Sequence, residues 1–530
     1  MALTRPVAYG ERGMVATPHY LASAAALDAL KEGGTAVDAA LSAVATLGAV
    51  LPHMTGIGGD AFWLIYDAKT GTLAGINGSG TAGRRASLDA YRGSDAIPER
   101  GPRSAITVPG TVDSWRLAHG RFGRLPLSRL LAPAIHYARA GTPVTAGLAA
   151  WTAESAAALR EDAGAAAIFL PGDEPLQERA RLMQPQLAHT LAQIAEAGPR
   201  YFYESTGVSV ARYLAGRGGL LCPEDFAGYA ARWVQPISVR YRDCTAFQLP
   251  PPSQGLAGLL ILNFLAGVDV AALGDASTGY FNALVQAIKW AFRQRDAWLT
   301  DPDFLDIPLA RLLDPATADR DRVAAMADVA ASPAGRGTKG DTVFVATADA
   351  EGNAVGVVES LYFDFGAAVL DPDSGVLLQN RGSYFSLDAA HPNVLAPGKQ
   401  SASTLMAGML FRDGRPYLVH GTQGGEVQPQ TNAALVSRVV DFGRNAQEAI
   451  EALRLLHGRS WGDSANQLLV ETRGDDAAIA GLARLGHPAQ AVAWPHPRMG
   501  TAQAIRLDFA REAFFEGGAD PRGEGLALGY

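Results

Sequence analysis

Lys339-Gly-Asp-Thr-Val-Phe-Val-Ala-Thr-Ala-Asp-Ala-Glu-Gly-Asn-Ala354 is the stretch on which the reading of this chain turns. Upstream of its core, Ala331-Ser-Pro-Ala-Gly-Arg-Gly-Thr-Lys-Gly340 is too rich in glycine and small residues to make a buried element. From Thr342 to Ala348 the alternation predicts a β-strand, with Val343, Val345 and Thr347 on one face and Phe344, Ala346 and Ala348 on the other. Asp349-Ala-Glu-Gly-Asn353 turns the chain, and Ala354 to Leu361 supplies the returning strand. A loose approach thus meets a rigid hairpin at one threonine. Self-cleavage of the Asp341–Thr342 bond would make Thr342 a chain start, with hydroxyl and α-amine on one residue. Such an amine, with a reference pKa of about 7.7 to 8.0, can activate the hydroxyl without a histidine. On the residues alone, β-propensity is the commoner reason for a threonine at a strand start.

Working outward, 530 residues with 48% hydrophobic content are enough for one large domain or several ordinary ones. The net charge of −8 argues against a nucleic-acid partner. Cys222 and Cys244 fit neither a metal knuckle nor a redox pair; two buried free thiols are expected, a single disulfide being the alternative. Met1 to Gly10 has no basic region followed by an apolar run, which predicts no secretory signal and a cytoplasmic protein.

Helices are predicted at Tyr20 to Lys31 and Ala36 to Val50, broken at Gly33-Gly34. The second is apolar, but Asp38 and its length exclude a membrane span. His53-Met-Thr-Gly-Ile-Gly-Gly-Asp60 lacks the lysine of a phosphate loop and reads as a tight glycine turn, followed by a strand at Phe62 to Tyr66. Helical periodicity runs from Pro126 to about Tyr213, including Leu187 to Ala197, and a short helix begins at Pro223. Val239 to Gln248 has strand character. Pro250-Pro-Pro-Ser-Gln-Gly255 makes a stiff turn before helices at Leu256 to Ala266 and Tyr280 to Ala297. Ala316 to Lys339 is mostly polar or small, and its end is the expected linker to be cut. His391, His420 and His457 are scattered, so neither a metal nor another cofactor is implied.

Several motifs together resemble the gamma-glutamyltranspeptidase family. Thr342-Val-Phe-Val-Ala-Thr-Ala-Asp349, Glu351-Gly-Asn-Ala-Val355, Ser374-Gly-Val-Leu-Leu-Gln-Asn380, Ala396-Pro-Gly-Lys399 and Gly421-Thr-Gln-Gly-Gly425 are similar to its small subunit. Gly33-Gly-Thr-Ala-Val-Asp-Ala-Ala40, Gly56-Ile-Gly-Gly59 and Val108-Pro-Gly110 resemble its large subunit in the same order. The resemblance, from about residue 10 to about 465, implies an α+β protein of four layers, αββα, the N-terminal-nucleophile hydrolase sandwich. It also implies cleavage into 1–341, the large subunit, and 342–530, the small subunit bearing the nucleophile. These would stay together as a heterodimer; further dimerisation is left open.

Carried onto this chain, the resemblance makes Asp341 and Thr342 the self-cleavage site, Thr342 the nucleophile and Ser360 the hydroxyl beside the new amine, in place of the family's threonine. Gly424 and Gly425 become the oxyanion-hole donors, with free backbone N–H groups. Ser403 and Thr404 match a serine pair lining the pocket. Three departures bear on the substrate. Ser79 stands where transpeptidases hold a carboxylate with arginine, and Arg84 and Arg85 lie nearby. Tyr362 and Tyr384 replace Asn and Asp, and a phenol is no counter-ion for an amine near neutral pH. Arg381 replaces a neutral residue and suits a carboxylate, although pairing with Glu359 or Glu426 is the structural alternative.

These changes resemble the branch with oxamate amidohydrolase and cephalosporin-acylase-like members. They imply a self-processing amidohydrolase for a small carboxylate-bearing amide, with oxamate the first guess. The alternatives are a γ-glutamyl transferase or hydrolase, an acylase-like amidase, and an uncleaved binding protein. No nucleic acid or membrane partner is expected.

Overall fold

The expected hairpin forms: Asp341–Asp349 and Ala354–Tyr362 pair antiparallel near the middle of a seven-stranded sheet. In the computed structural model, residues 4–327, 341–458, 467–507 and 514–530 are described. The strand order is Leu526–Gly529, Gly13–Thr17, Asp341–Asp349, Ala354–Tyr362, Asp60–Asp67, Thr72–Gly78 and Arg232–Val234, antiparallel throughout. A second antiparallel sheet runs Ala8–Gly10, Phe515–Ala519, Ala502–Leu507, Arg415–Thr422, Gly408–Arg412, Cys244–Gln248 and Ile237–Tyr241.

Strand alternation sorts the side chains into layers. Phe344, Ala346 and Ala348 join Phe62, Leu64, Met409 and Val419 between the two sheets. Val343 and Val345 turn the other way, onto the helices Ala36–Val50 and Thr111–Phe122. Beyond the second sheet, Leu410 and Leu418 pack on the helices Gly255–Ala266, Thr278–Trp298 and Val427–Val440. The result is the four-layer αββα sandwich that the resemblance implies.

Local chemistry accounts for the elements that frame the site. Helix Ala36–Val50 starts where expected because Thr35 and Asp38 form a capping box: the Asp38 N–H donates to Thr35 Oγ1 at 3.2 Å and the Thr35 N–H to Asp38 Oδ2 at 2.9 Å. Gly58 and Gly59 pack against the backbone, as the glycine-turn reading requires. A Cβ there would lie 2.0 Å from the Leu377 carbonyl oxygen and 2.3 Å from that of Ser360, respectively. Asp413 and Gly414, both at positive φ, turn Gly408–Arg412 into Arg415–Thr422.

Some expectations need correction. The first part of the polar and small stretch, for which no element was expected, forms a helix, Pro315–Ala327. The segment expected to be cut, 328–340, lies outside the described residues. The helix after the paired glycines, for which no start was set above, runs Val427–Val440. Both cysteines are buried free thiols. Among the described residues no helix is long and apolar enough to cross a membrane.

Candidate active site

Antiparallel register collects one end of the first sheet. Asp341 pairs with Tyr362, Ser360 with Asp60, and Ala61 with Gly78, so Thr342, Ser360, Asp60 and Ser79 lie at the same edge on neighbouring strands. The register shifts there, and Ser360 and Leu361 both lie across from the single Thr342. Tyr362 ends the returning strand at φ +83°, an uncommon backbone for a residue other than glycine.

Thr342 is completely buried, and its hydroxyl has no hydrogen-bond partner among the described residues. Leaving such a group unpaired costs about 1–3 kcal/mol and calls for a reason. Ser360 is likewise fully buried rather than a surface strand serine; its oxygen accepts the Tyr362 N–H at 2.7 Å. Asp341 enters by its backbone, at the start of the strand.

The paired glycines come from the facing sheet. Val419 lies against Gly356, the strand partner of Ala346, while Gly421 lies under the Phe344 ring. Beyond Gly421 that strand ends at Thr422 and the chain enters the turn at Gln423–Gly425. Gly424 has φ +111° and Gly425 +54°, conformations that favour glycine. Their carbonyls are tied down: Gly424 O accepts from the Val427 N–H at 2.8 Å and Gly425 O from Gln254 Nε2 at 2.8 Å. Neither glycine N–H donates to an acceptor among the described residues.

Arg381 is also fully buried. Its Nη1 donates to Thr404 Oγ1 at 3.0 Å, and its guanidinium carbon sits 4.3 Å from the centre of the Tyr362 ring. Nε and Nη2, which form the side-on fork of the guanidinium, have no hydrogen-bond partner among the described residues. Among the described residues no ion pair joins Arg381 to Glu359 or Glu426. Glu426 binds Arg295 Nη2 at 2.8 Å, and Glu359 accepts from Thr55 Oγ1 at 2.6 Å. Among the described residues the carboxylate within ion-pair reach of Arg381 is that of Asp60, with Oδ2 at 4.0 Å from Nε.

Asp60 is held by its neighbours. Its Oδ1 accepts from the Gly80 N–H at 2.9 Å and Gln379 Nε2 at 2.8 Å, and Ser79 Oγ lies 3.4 Å from Oδ2. Burial pushes its carboxyl up to about 6, against the pull of Arg381. Burial also drives the Tyr362 phenol far above its usual range and pushes that of Tyr384 to about 12, so both stay neutral. The two rings are 5.7 Å apart.

Other expected residues contribute less. Ser403 is buried, but its oxygen accepts the Leu405 N–H at 3.3 Å, whereas Thr404 reaches Arg381. Arg84 and Arg85 are exposed, and Arg84 pairs with Asp225 at 3.0 Å, so they do not replace the missing arginine. His420 is packed against Asn432 at 3.0 Å, and burial lowers it to about 4. Sequence reasoning passed over Asp60, Gln254, Gln379 and Arg295. Gln254 donates to both Thr404 O, at 2.6 Å, and Gly425 O. A cleft of about 480 Å³, lined by Trp233, Pro250, Asp301 and Leu305, shares Asn77 and Gln400 with this network, Gln400 Nε2 donating to Ser79 O at 2.6 Å.

The sequence model of gamma-glutamyltranspeptidase matches residues 22–530. The chain belongs to the gamma-glutamyltranspeptidase family. It is 44% identical over 522 residues to the glutathione hydrolase-like YwrD proenzyme of Bacillus subtilis, covering 98% of this chain and 99% of the relative. To the oxamate amidohydrolase proenzyme of Klebsiella pneumoniae it is 41% identical over 526 residues, covering 98% of each chain. The crystal structure of cephalosporin acylase from Bacillus halodurans superposes with a TM-score of 0.93 at 33% identity, over 100% of this chain and 98% of that one. The protein is therefore an enzyme of the gamma-glutamyltranspeptidase family with the N-terminal-nucleophile hydrolase fold.

Proposed function

We propose that the protein cuts itself before Thr342 and then hydrolyses a small amide bearing a carboxylate, with oxamate as the leading candidate. In the first step Thr342 Oγ1 attacks the Asp341 carbonyl carbon and the peptide becomes an ester. Water hydrolyses that ester, freeing the α-amine of Thr342 and leaving 1–341 and 342–530 associated. Both sheets draw strands from each side of the cut, which favours a lasting heterodimer. The naming of two similar proteins as proenzymes favours processing as well.

In turnover, the hydroxyl attacks the substrate amide while the amine takes its proton and returns it to the departing ammonia. The N–H groups of Gly424 and Gly425 stabilise the oxyanion. Water then clears the acyl-threonine, which for oxamate releases oxalate. Ser360 holds the amine, Thr404 fixes Arg381, and Tyr362 and Tyr384 shape an uncharged wall.

One observation carries the substrate class: a buried arginine whose side-on fork is unpartnered, close to the strand end that bears Thr342. That fork matches a carboxylate in two-pronged geometry. A γ-glutamyl substrate fits less well, since Tyr384 offers no charge to an α-amine. The cleft beside Asn77 and Gln400 favours a second reading, an amidase for a bulkier acyl amide. The released amine decides between these: ammonia from oxamate or another primary amide, an aniline from a γ-glutamyl anilide. The account expects turnover of oxamate, and turnover of a γ-glutamyl anilide without oxamate hydrolysis contradicts it.

A further inference from the structure

Arg381 and Asp60 are both fully buried, yet they stand 4.0 Å apart, too far for a close ion pair. Asp60 Oδ1 is saturated by Gly80 and Gln379, so Oδ2 is the atom left to carry a charge or a proton. It faces Arg381 Nε, half of the unpartnered fork. A ligand carboxylate seated on that fork would bring a second anion against Oδ2 and neutralise the cation that Asp60 depends on. Two carboxylates in one buried site do not both stay ionised.

We propose that Asp60 and Arg381 form a proton-linked anion site. In the free enzyme Asp60 is the counter-ion of Arg381, and a substrate carboxylate that takes the Nε–Nη2 fork obliges Asp60 to take up one proton. Asp60 is then a specificity-determining residue. Protonated, it accepts a monocarboxylate and can donate a hydrogen bond to it; ionised, it competes for the arginine. This rests on the reading of Arg381 as the carboxylate contact.

Besides Arg381, self-cleavage adds one titratable group at this strand end, the α-amine of Thr342 beside Ser360, and the Asp60→Asn variant separates its proton from that of Asp60. Its strand neighbours contribute Ser360 and Ser79, which carry no charge. Tyr203 and Tyr229 face it from the large-fragment side, and burial holds both phenols far above their usual range. On its other side Arg381 faces the neutral Tyr362 and Tyr384. Because the free carboxyl already titrates at about 6, loss of its cation carries it above neutrality.

Pyruvate, which has the carboxylate and carbonyl of oxamate but no amide to cleave, is the probe. Calorimetric titration of the processed enzyme near pH 7.5, in phosphate and in Tris, reads proton uptake from the difference in heats. Uptake approaching one proton per pyruvate is expected, with Kd rising about tenfold per pH unit from about 7 to 8. Asp60→Asn should bind pyruvate without uptake and without that pH dependence. Equal heats in the two buffers overturn the linkage while leaving the carboxylate contact standing. Absence of pyruvate binding by the wild type from about pH 6 to 8 overturns both.

Discussion

The side-chain amide of Gln254 donates to the backbone carbonyl of Gly425 at 2.8 Å, and its second proton goes to Thr404 O at 2.6 Å. A residue encoded well before Thr342 thereby fixes the turn that presents the glycine N–H groups and the threonine that holds Arg381. Gln254→Ala should lower kcat about tenfold to a hundredfold, less than deletion of an oxyanion donor, because the turn remains but loses its aim. Steady-state kinetics with melting curves check this. A fall in kcat with Tm lowered by no more than about 3 °C is expected, as two lost hydrogen bonds cost little in a chain this size.

The neighbouring tie is ionic. Arg295 Nη2 lies 2.8 Å from Glu426 Oε1, both side chains being at most 9% exposed. Arg295→Met strips the carboxylate next to Gly425 of its arginine and should cost about 3 kcal/mol, or about 3 °C in Tm. Adding Glu426→Gln should restore most of that loss, which thermal unfolding of the double variant will show.

Glu359 sets a pH dependence of stability. It is fully buried, and burial pushes its carboxyl up to about 8 from 4.5 against the pull of its Thr55 and Trp115 neighbours. Unfolding therefore releases a proton between those values, so this contribution to stability is complete below about pH 4.5, declines as pH rises and is gone above about 8. Its full size is on the order of 5 kcal/mol, or about 4 °C in Tm. The Tm of wild type minus that of Glu359→Gln should fall across the window and stay level above it. A difference independent of pH contradicts the assignment.

Arg381→Lys keeps the charge but loses the fork. A point-charge ammonium cannot reproduce two parallel N–H donors. Raised KM for oxamate, by about tenfold to a hundredfold, with self-cleavage intact is expected; fragment analysis on a denaturing gel and initial-rate kinetics check the two halves.

How much of this was legible in the sequence follows from the range of the interactions. The hairpin after Thr342 and the helix starting at Thr35 were readable because alternation, turn residues and caps are local. Arg381 and the glycine pair were legible through motif resemblance. Asp60 and Gln254 were not, since each closes a segment read as a mere turn and gains its partners only when distant chain folds onto it. Helix Pro315–Ala327 was passed over because its alanines and charges form no clear apolar stripe. The start at Val427 was hidden by Pro429, which a first helical turn tolerates.

Intact-mass analysis with N-terminal sequencing of the shorter fragment tests the central claim most directly. The account predicts a fragment comprising residues 342–530 that begins Thr342-Val-Phe-Val, and a single uncut, inactive chain for Thr342→Ala. A fragment beginning at any other residue, or hydrolysis by uncut Thr342→Ala, contradicts it.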